Sequence, residues 1–215
     1  MMARRKAPVE IEVPDAGPSF KFLTKAQENA WEVIENNTVV FLLGAPGTGK
    51  TQLATAYANI AVSGKRYKRI VHTRPVVEAM ESLGWLPGTL GDKLGPYMVP
   101  LVTCAAKVKA TGIETQILPI AYMRGTTLEN CVSILDEAQN ATYQQLKLYL
   151  TRLGHGAKLI LCGDIDQVDI KESGLARVAS ELEGLEGVGS YTFLPTDSVR
   201  HPMVERMLAR LKKIN

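Results

Sequence analysis

The segment Gly44-Ala45-Pro46-Gly47-Thr48-Gly49-Lys50-Thr51 fits the pattern Gly-x4-Gly-Lys-[Ser/Thr]. Each residue type there has a physical task. Glycines let backbone N–H groups turn inward around a phosphate without Cβ clashes, and a helix starting near Gly49 aims its positive end at the same anion. Lys50 is suited to reach the β- and γ-phosphates, and the Thr51 hydroxyl to complete a Mg²⁺ shell. The bland alternative is a glycine turn between strand and helix. It is disfavoured here because the apolar run 38–43 precedes the pattern and a helical pattern follows it. The residues therefore predict a site for ATP with Mg²⁺, and its hydrolysis.

A second apolar run, Val132-Ser133-Ile134-Leu135, ends in Asp136-Glu137-Ala138-Gln139. At the C-terminal end of a parallel strand, carboxylates face the same crevice as a phosphate loop. Asp136 is suited to the Mg²⁺ shell through water, and Glu137 to polarise the attacking water as general base. Asp-Glu is also a common pair at helix N-termini, but four apolar residues before it and the phosphate loop upstream favour the catalytic reading. The next run ends in Gly163-Asp164-Ile165-Asp166-Gln167, where Gln167 is placed to report on the γ-phosphate. Taken alone, Gly-Asp after a strand is ordinary turn chemistry.

These groups need a scaffold that brings strand ends together. Apolar, β-branched runs at 38–43, 70–72, 132–135 and 158–162, with a weaker one at 191–194, read as strands buried on both faces. Helical patterns at 51–62, 96–109, 142–153, 173–183 and 203–213 alternate with them, and Thr24 reads as the N-cap of an earlier helix. Strand–helix alternation predicts an α/β fold: a mostly parallel sheet with helices on both faces. Residues 1–19 read as an arm with an edge strand around Val9-Glu10-Ile11-Glu12-Val13, and 20–215 as a single domain. Residues 76–101 form a long glycine- and proline-punctuated connection.

With 215 residues and 46% hydrophobic composition the chain suffices for one well-buried core. A net charge of +3 permits nucleic-acid contact without arguing for it. No apolar stretch reaches the length of a membrane span, so the expectation is a soluble, cytoplasmic protein. Cys104, Cys131 and Cys162 form no Cys-x-x-Cys pair and read as small hydrophobes, while His72, His155 and His201 lack metal-ligand spacing. Arg74, at a strand end, and the basic cluster with Lys65, Arg66 and Lys68 around Tyr67 are candidates for nucleic-acid contact. Most basic clusters are solvated faces.

Together these motifs resemble the PhoH family, whose ATPase core is similar to the RecA-like motor domains of superfamily 1 helicases. The resemblance runs in order from Lys25-Ala26-Gln27 through Thr73-Arg74-Pro75, Leu83-Gly84-x-Leu86-Pro87-Gly88, Ala121-Tyr122-Met123-Arg124-Gly125, Asp136-Glu137-Ala138-Gln139-Asn140, Thr151-Arg152-Leu153-Gly154 and Ser173-Gly174-Leu175 to Val199-Arg200-His201-Pro202. It implies that Gln27 reads adenine. It also implies ATP hydrolysis coupled to RNA or single-stranded nucleic acid in a ring-shaped homo-oligomer, expected to be a hexamer. A helicase supplies a charge-stabilising arginine from a second core. Beyond Gln167 the residues predict only a strand and two helices, so either that arginine comes from a neighbouring subunit or hydrolysis is slow. Arg200 is the first candidate, followed by Arg152 and Arg124. Two other functions share the phosphate loop, a small-molecule kinase and an ATP-gated scaffold. A guanine-specific switch is disfavoured, since no Asn-Lys-x-Asp segment occurs.

Overall fold

The structure, a computed structural model, describes residues 10–11, 20–75, 113–165, 167–168, 170 and 172–211. The expected helix at 96–109, the whole connection at 76–101 and the last two residues of the expected helix at 203–213 lie outside them.

β3 (Val39–Gly44) is buried along its whole length and leads into α2 (Lys50–Ser63). Then follow β4 (Arg69–Thr73), β5 (Thr115–Ile117), β6 (Cys131–Leu135), α3 (Tyr143–Leu150), β7 (Lys158–Gly163), α4 (Leu175–Glu181), β8 (Val188–Phe193) and α5 (Pro202–Leu211). Before β3 stands α1 (Lys25–Asn36), whose N-cap is Thr24: its hydroxyl accepts from Gln27 N–H at 3.2 Å. The arm contributes β1 (Glu10–Ile11), paired antiparallel with β2 (Phe20–Lys21) as a separate two-stranded ladder.

The main sheet has six strands in the order β5-β4-β6-β7-β3-β8, every pair parallel. Side chains alternate across it. Val40, Leu42, Val132, Ile134, Ile160 and Cys162 join one core with α1 and α2, while Val39, Phe41, Leu43, Leu135, Leu159 and Leu161 join another with α3 and α4. Both faces are thus covered, as parallel sheets require.

Three elements differ from the sequence reading. The helix after the phosphate loop is buried at every residue from 53 to 61. Its alanines let it pack closely, so it has no polar face of the kind amphipathic surface helices show. β5 carries no apolar run, because its three residues are all exposed at the sheet edge. β8 begins three residues before the expected 191, since Gly187 carbonyl accepts from Thr38 and Val39 N–H at 2.8 and 3.0 Å and starts the ladder early.

Candidate active site

The strand order decides what meets what. β7 lies between β3 and β6, so the phosphate loop, the turn after β7 and the Asp136-Glu137 pair emerge side by side at the C-terminal ends of these strands. A cavity of about 310 Å³ opens there, lined by loop residues, Asp136, Glu137, Gln139, Gln167 and Arg200.

The loop is built as its composition predicts. Gly49 takes a left-handed conformation, φ 88°, and no side chain caps α2, which leaves the helix N–H groups available to an anion. The Thr48 hydroxyl donates to Ala45 carbonyl at 3.0 Å, and the Lys50 ammonium donates to the Gly44 and Ala45 carbonyls, each at 2.7 Å. Burial lowers the Lys50 pKa, and the nearby acidic groups oppose that shift. Gly47, at φ 78°, has a further constraint, since a Cβ there would overlap the Arg200 side chain. Val199 N–H donates to Gly47 carbonyl at 2.9 Å. The segment before α5 therefore clasps the loop of its own chain.

Thr51 Oγ1 donates to Asp136 Oδ1 at 2.6 Å. Burial pushes the Asp136 carboxyl up, opposed by that hydroxyl donation. Among the described residues no group of three or more His, Cys, Asp or Glu converges as a metal cage. One hydroxyl and one carboxylate, both oxygen donors, instead fit Mg²⁺, which takes few protein ligands and fills its shell with water and phosphate oxygens. Glu137 adopts a left-handed backbone, φ 53° and ψ 42°, a costly state for a residue with a side chain and one that clusters at functional sites.

Gln139, to which the sequence alone gives no role, lines the cavity. Its amide donates to Glu137 Oε2 at 2.6 Å, and its Oε1 accepts from Asp164 N–H at 3.1 Å, tying Glu137 to the turn after β7. A glutamine two residues beyond a carboxylate carries no such signal by itself.

Gln27, expected to read adenine, is engaged with backbone groups of its own chain. It is buried, accepts from Leu23 N–H at 2.9 Å and donates to Thr48 carbonyl at 3.0 Å. Gln27 thus braces the phosphate loop from behind and is not among the residues lining the cavity. The arginine candidates separate clearly. Arg200 stands in the crevice of its own chain. Arg152, in the connection before β7, donates to Thr126 carbonyl at 3.2 Å, toward the N-terminal ends of the strands. Arg124 is exposed beside α3, with Lys147 and Gln144.

The basic cluster also sits toward those N-terminal ends, between the end of α2 and the start of β4. Arg66 binds both carboxylate oxygens of Glu35, at 2.7 and 3.2 Å, and lies over the Tyr57 ring. That is a structural clamp. Lys65 and Lys68 are exposed. No helix among the described residues is long and apolar enough to cross a membrane.

A six-stranded parallel sheet carrying this loop, with the carboxylate strand one strand removed from it, defines a P-loop NTPase fold of the RecA-like type. The large terminase of a thermophilic bacteriophage shares that fold, with TM-score 0.62 and 11% identity over 87% of this chain and 50% of the terminase. The ADP complex of the same terminase gives 0.58 over 87% and 49%. The sequence profile described as PhoH-like protein matches residues 19–212, and the chain belongs to that family. It is 41% identical over 218 residues to the PhoH-like protein of Bacillus subtilis, covering 96% of this chain and 68% of that protein. It is likewise 41% identical to the PhoH-like protein of Synechocystis, covering 89% and 62%, and 39% identical to Protein PhoH of Escherichia coli, covering 86% and 56%.

Proposed function

We propose that this chain is a Mg²⁺-dependent ATP hydrolase of the cytoplasm whose turnover is coupled to RNA or single-stranded nucleic acid. The observation that carries the reading is the convergence of Thr51, Asp136 and Glu137 on the phosphate loop in one cavity. Loop N–H groups and Lys50 hold the triphosphate. Lys50 is well placed for this, because its present acceptors are backbone carbonyls of the loop itself and phosphate oxygens are stronger partners. Thr51 and Asp136 would hold Mg²⁺, which when bound neutralises charge developing on the phosphate oxygens.

Glu137 accepts a proton from water while the water oxygen bonds to the γ-phosphorus. The bond to the β–γ bridging oxygen breaks, and its electron pair leaves with ADP. Gln139 keeps Glu137 oriented, and Gln167 contacts the transferring group. Arg200 supplies positive charge over the loop from the same chain, so a neighbour's arginine is not required for this chemistry. The family resemblance supports ring assembly, and in a ring Arg124, exposed at the surface, would be one arginine available to a neighbour. Nucleic-acid contact is assigned to Arg74, because it stands at the crevice end of β4 beside Glu137, whereas Arg66 is clamped by Glu35 at the far ends of the strands.

The test is steady-state ATP hydrolysis with and without single-stranded RNA. Lys50→Ala is expected to abolish ATP binding. Glu137→Gln is expected to keep binding while losing hydrolysis by about 100-fold or more. Full turnover by Glu137→Gln would overturn the assignment of the base, and turnover indifferent to RNA would overturn the coupling. A kinase or scaffold would then be the better reading.

A further inference from the structure

Glu137 is held from two sides. The Arg74 guanidinium stands 3.4 Å from Oε1, and the Gln139 amide donates to Oε2 at 2.6 Å. Sheet register sets the first contact. Arg74 follows β4 directly, Thr73 pairs with Leu135 across the ladder, and Asp136 N–H donates to Thr73 carbonyl at 2.9 Å. Arg74 and Glu137 are therefore neighbouring strand ends, brought together by backbone pairing.

The pair is also open to ligands: the Arg74 side chain is 26% exposed and that of Glu137 40%. An ion pair this exposed is weak and exchanges partners readily. A phosphodiester competes well for a guanidinium, because it offers paired oxygens to the planar fork. A general base, in turn, needs an oxygen free to face the proton it takes. With one carboxylate oxygen against a guanidinium and the other bonded to an amide, a water that would give its proton to Oε1 must compete with Arg74.

We propose that Arg74 is a positioning residue for Glu137, and that a nucleic-acid phosphodiester relieves its hold. Without nucleic acid, Arg74 turns Oε1 away from water. When a backbone phosphate takes the guanidinium, Oε1 becomes free to accept the proton of the attacking water. Gln139 retains Oε2 throughout, so the carboxylate stays aligned with the turn after β7. No bond to Arg74 forms or breaks, and the hydrolysis balances as described above. The proposal rests on the nucleic-acid-coupled reading and adds the link between ligand and base.

The experiment compares wild type, Arg74→Gln and Arg74→Lys as full chains, at saturating Mg-ATP, with and without a single-stranded oligouridylate. Arg74→Gln is expected to raise the basal kcat several-fold with the KM for ATP unchanged, and to respond to the oligonucleotide by less than about twofold. Arg74→Lys, which keeps the charge but loses the fork, is expected to keep part of both the restraint and the response. Wild-type stimulation accompanied by equal stimulation of Arg74→Gln would overturn this link while leaving the coupling intact. So would an Arg74→Gln enzyme that is slow with and without RNA but binds ATP normally, since Arg74 would then assist the chemistry directly. A wild type indifferent to RNA overturns the coupling itself, and this link falls with it.

Discussion

The hydroxyl of Thr51 and the carboxylate of Asp136, 85 residues apart in sequence, are joined at 2.6 Å in the crevice. One begins the helix after β3, the other ends β6, and neither is positioned by its own neighbours in the chain. Their contact depends on the sheet order that puts a single strand between them.

Substituting Asp136→Asn keeps an acceptor for the Thr51 hydroxyl but removes the charge. The expected outcome is an intact fold, a higher Mg²⁺ requirement and kcat reduced by about 100-fold. A Mg²⁺ titration of ATP hydrolysis checks it, and an unchanged Mg²⁺ dependence would remove Asp136 from the metal site.

Gly47→Ala places a Cβ where Arg200 lies and forces a side chain into a left-handed backbone, φ 78°. The conformational cost alone is about 1–2 kcal/mol. ATP affinity is expected to fall at least about tenfold, while the far-ultraviolet circular dichroism stays that of the wild type. Fluorescent-nucleotide titration provides the measurement. Wild-type affinity would show that the clasp between the loop and Arg200 is dispensable.

Gln27 is a brace by geometry, with both ends of its amide used on backbone groups. Gln27→Leu leaves Leu23 N–H and Thr48 carbonyl without that partner, which is expected to cost about 1–3 kcal/mol of stability. Urea unfolding measures this directly. A brace predicts that discrimination between ATP and GTP is unchanged in the variant, whereas an adenine reader predicts that it is lost.

His72 is buried in β4, and neither ring nitrogen has a hydrogen-bond partner among the described residues. Burial pushes its pKa down from 6.5 to about 4. In the unfolded chain the imidazole takes up a proton near its ordinary pKa, while in the folded chain it resists until about 4. Between those values the unfolded state binds more protons, so stability is fully present above about 6.5 and is lost as pH falls toward 4. The complete loss is of order 3 kcal/mol. Urea midpoints of wild type and His72→Val at pH 7 and about pH 4.5 test it. The wild type is expected to lose more stability than the variant over that interval, and equal losses would refute the linkage.

How much of this was legible beforehand varies by element. The phosphate loop could be read outright, because glycine, lysine and threonine at that spacing carry their own physical purpose. The four stronger buried strands could be read as well, since continuous β-branched runs have few other uses. The edge strand β5 could not, because Thr115, Gln116 and Ile117 are exposed and its pairing comes only from the partner β4.

The sequence by itself determined the chemistry on offer: a phosphate cradle, two carboxylates and a terminal amide, each at the end of an apolar run. Only the tertiary structure decided which of these touch. It put β7 between β3 and β6, set Arg74 against Glu137 and Gln139 between Glu137 and Asp164, turned Gln27 toward the back of the loop, and folded Arg200 onto its own chain. The reason is physical. Periodicity and residue type are local properties that neighbours in the chain establish, whereas strand order and register come from packing two faces of one sheet at once.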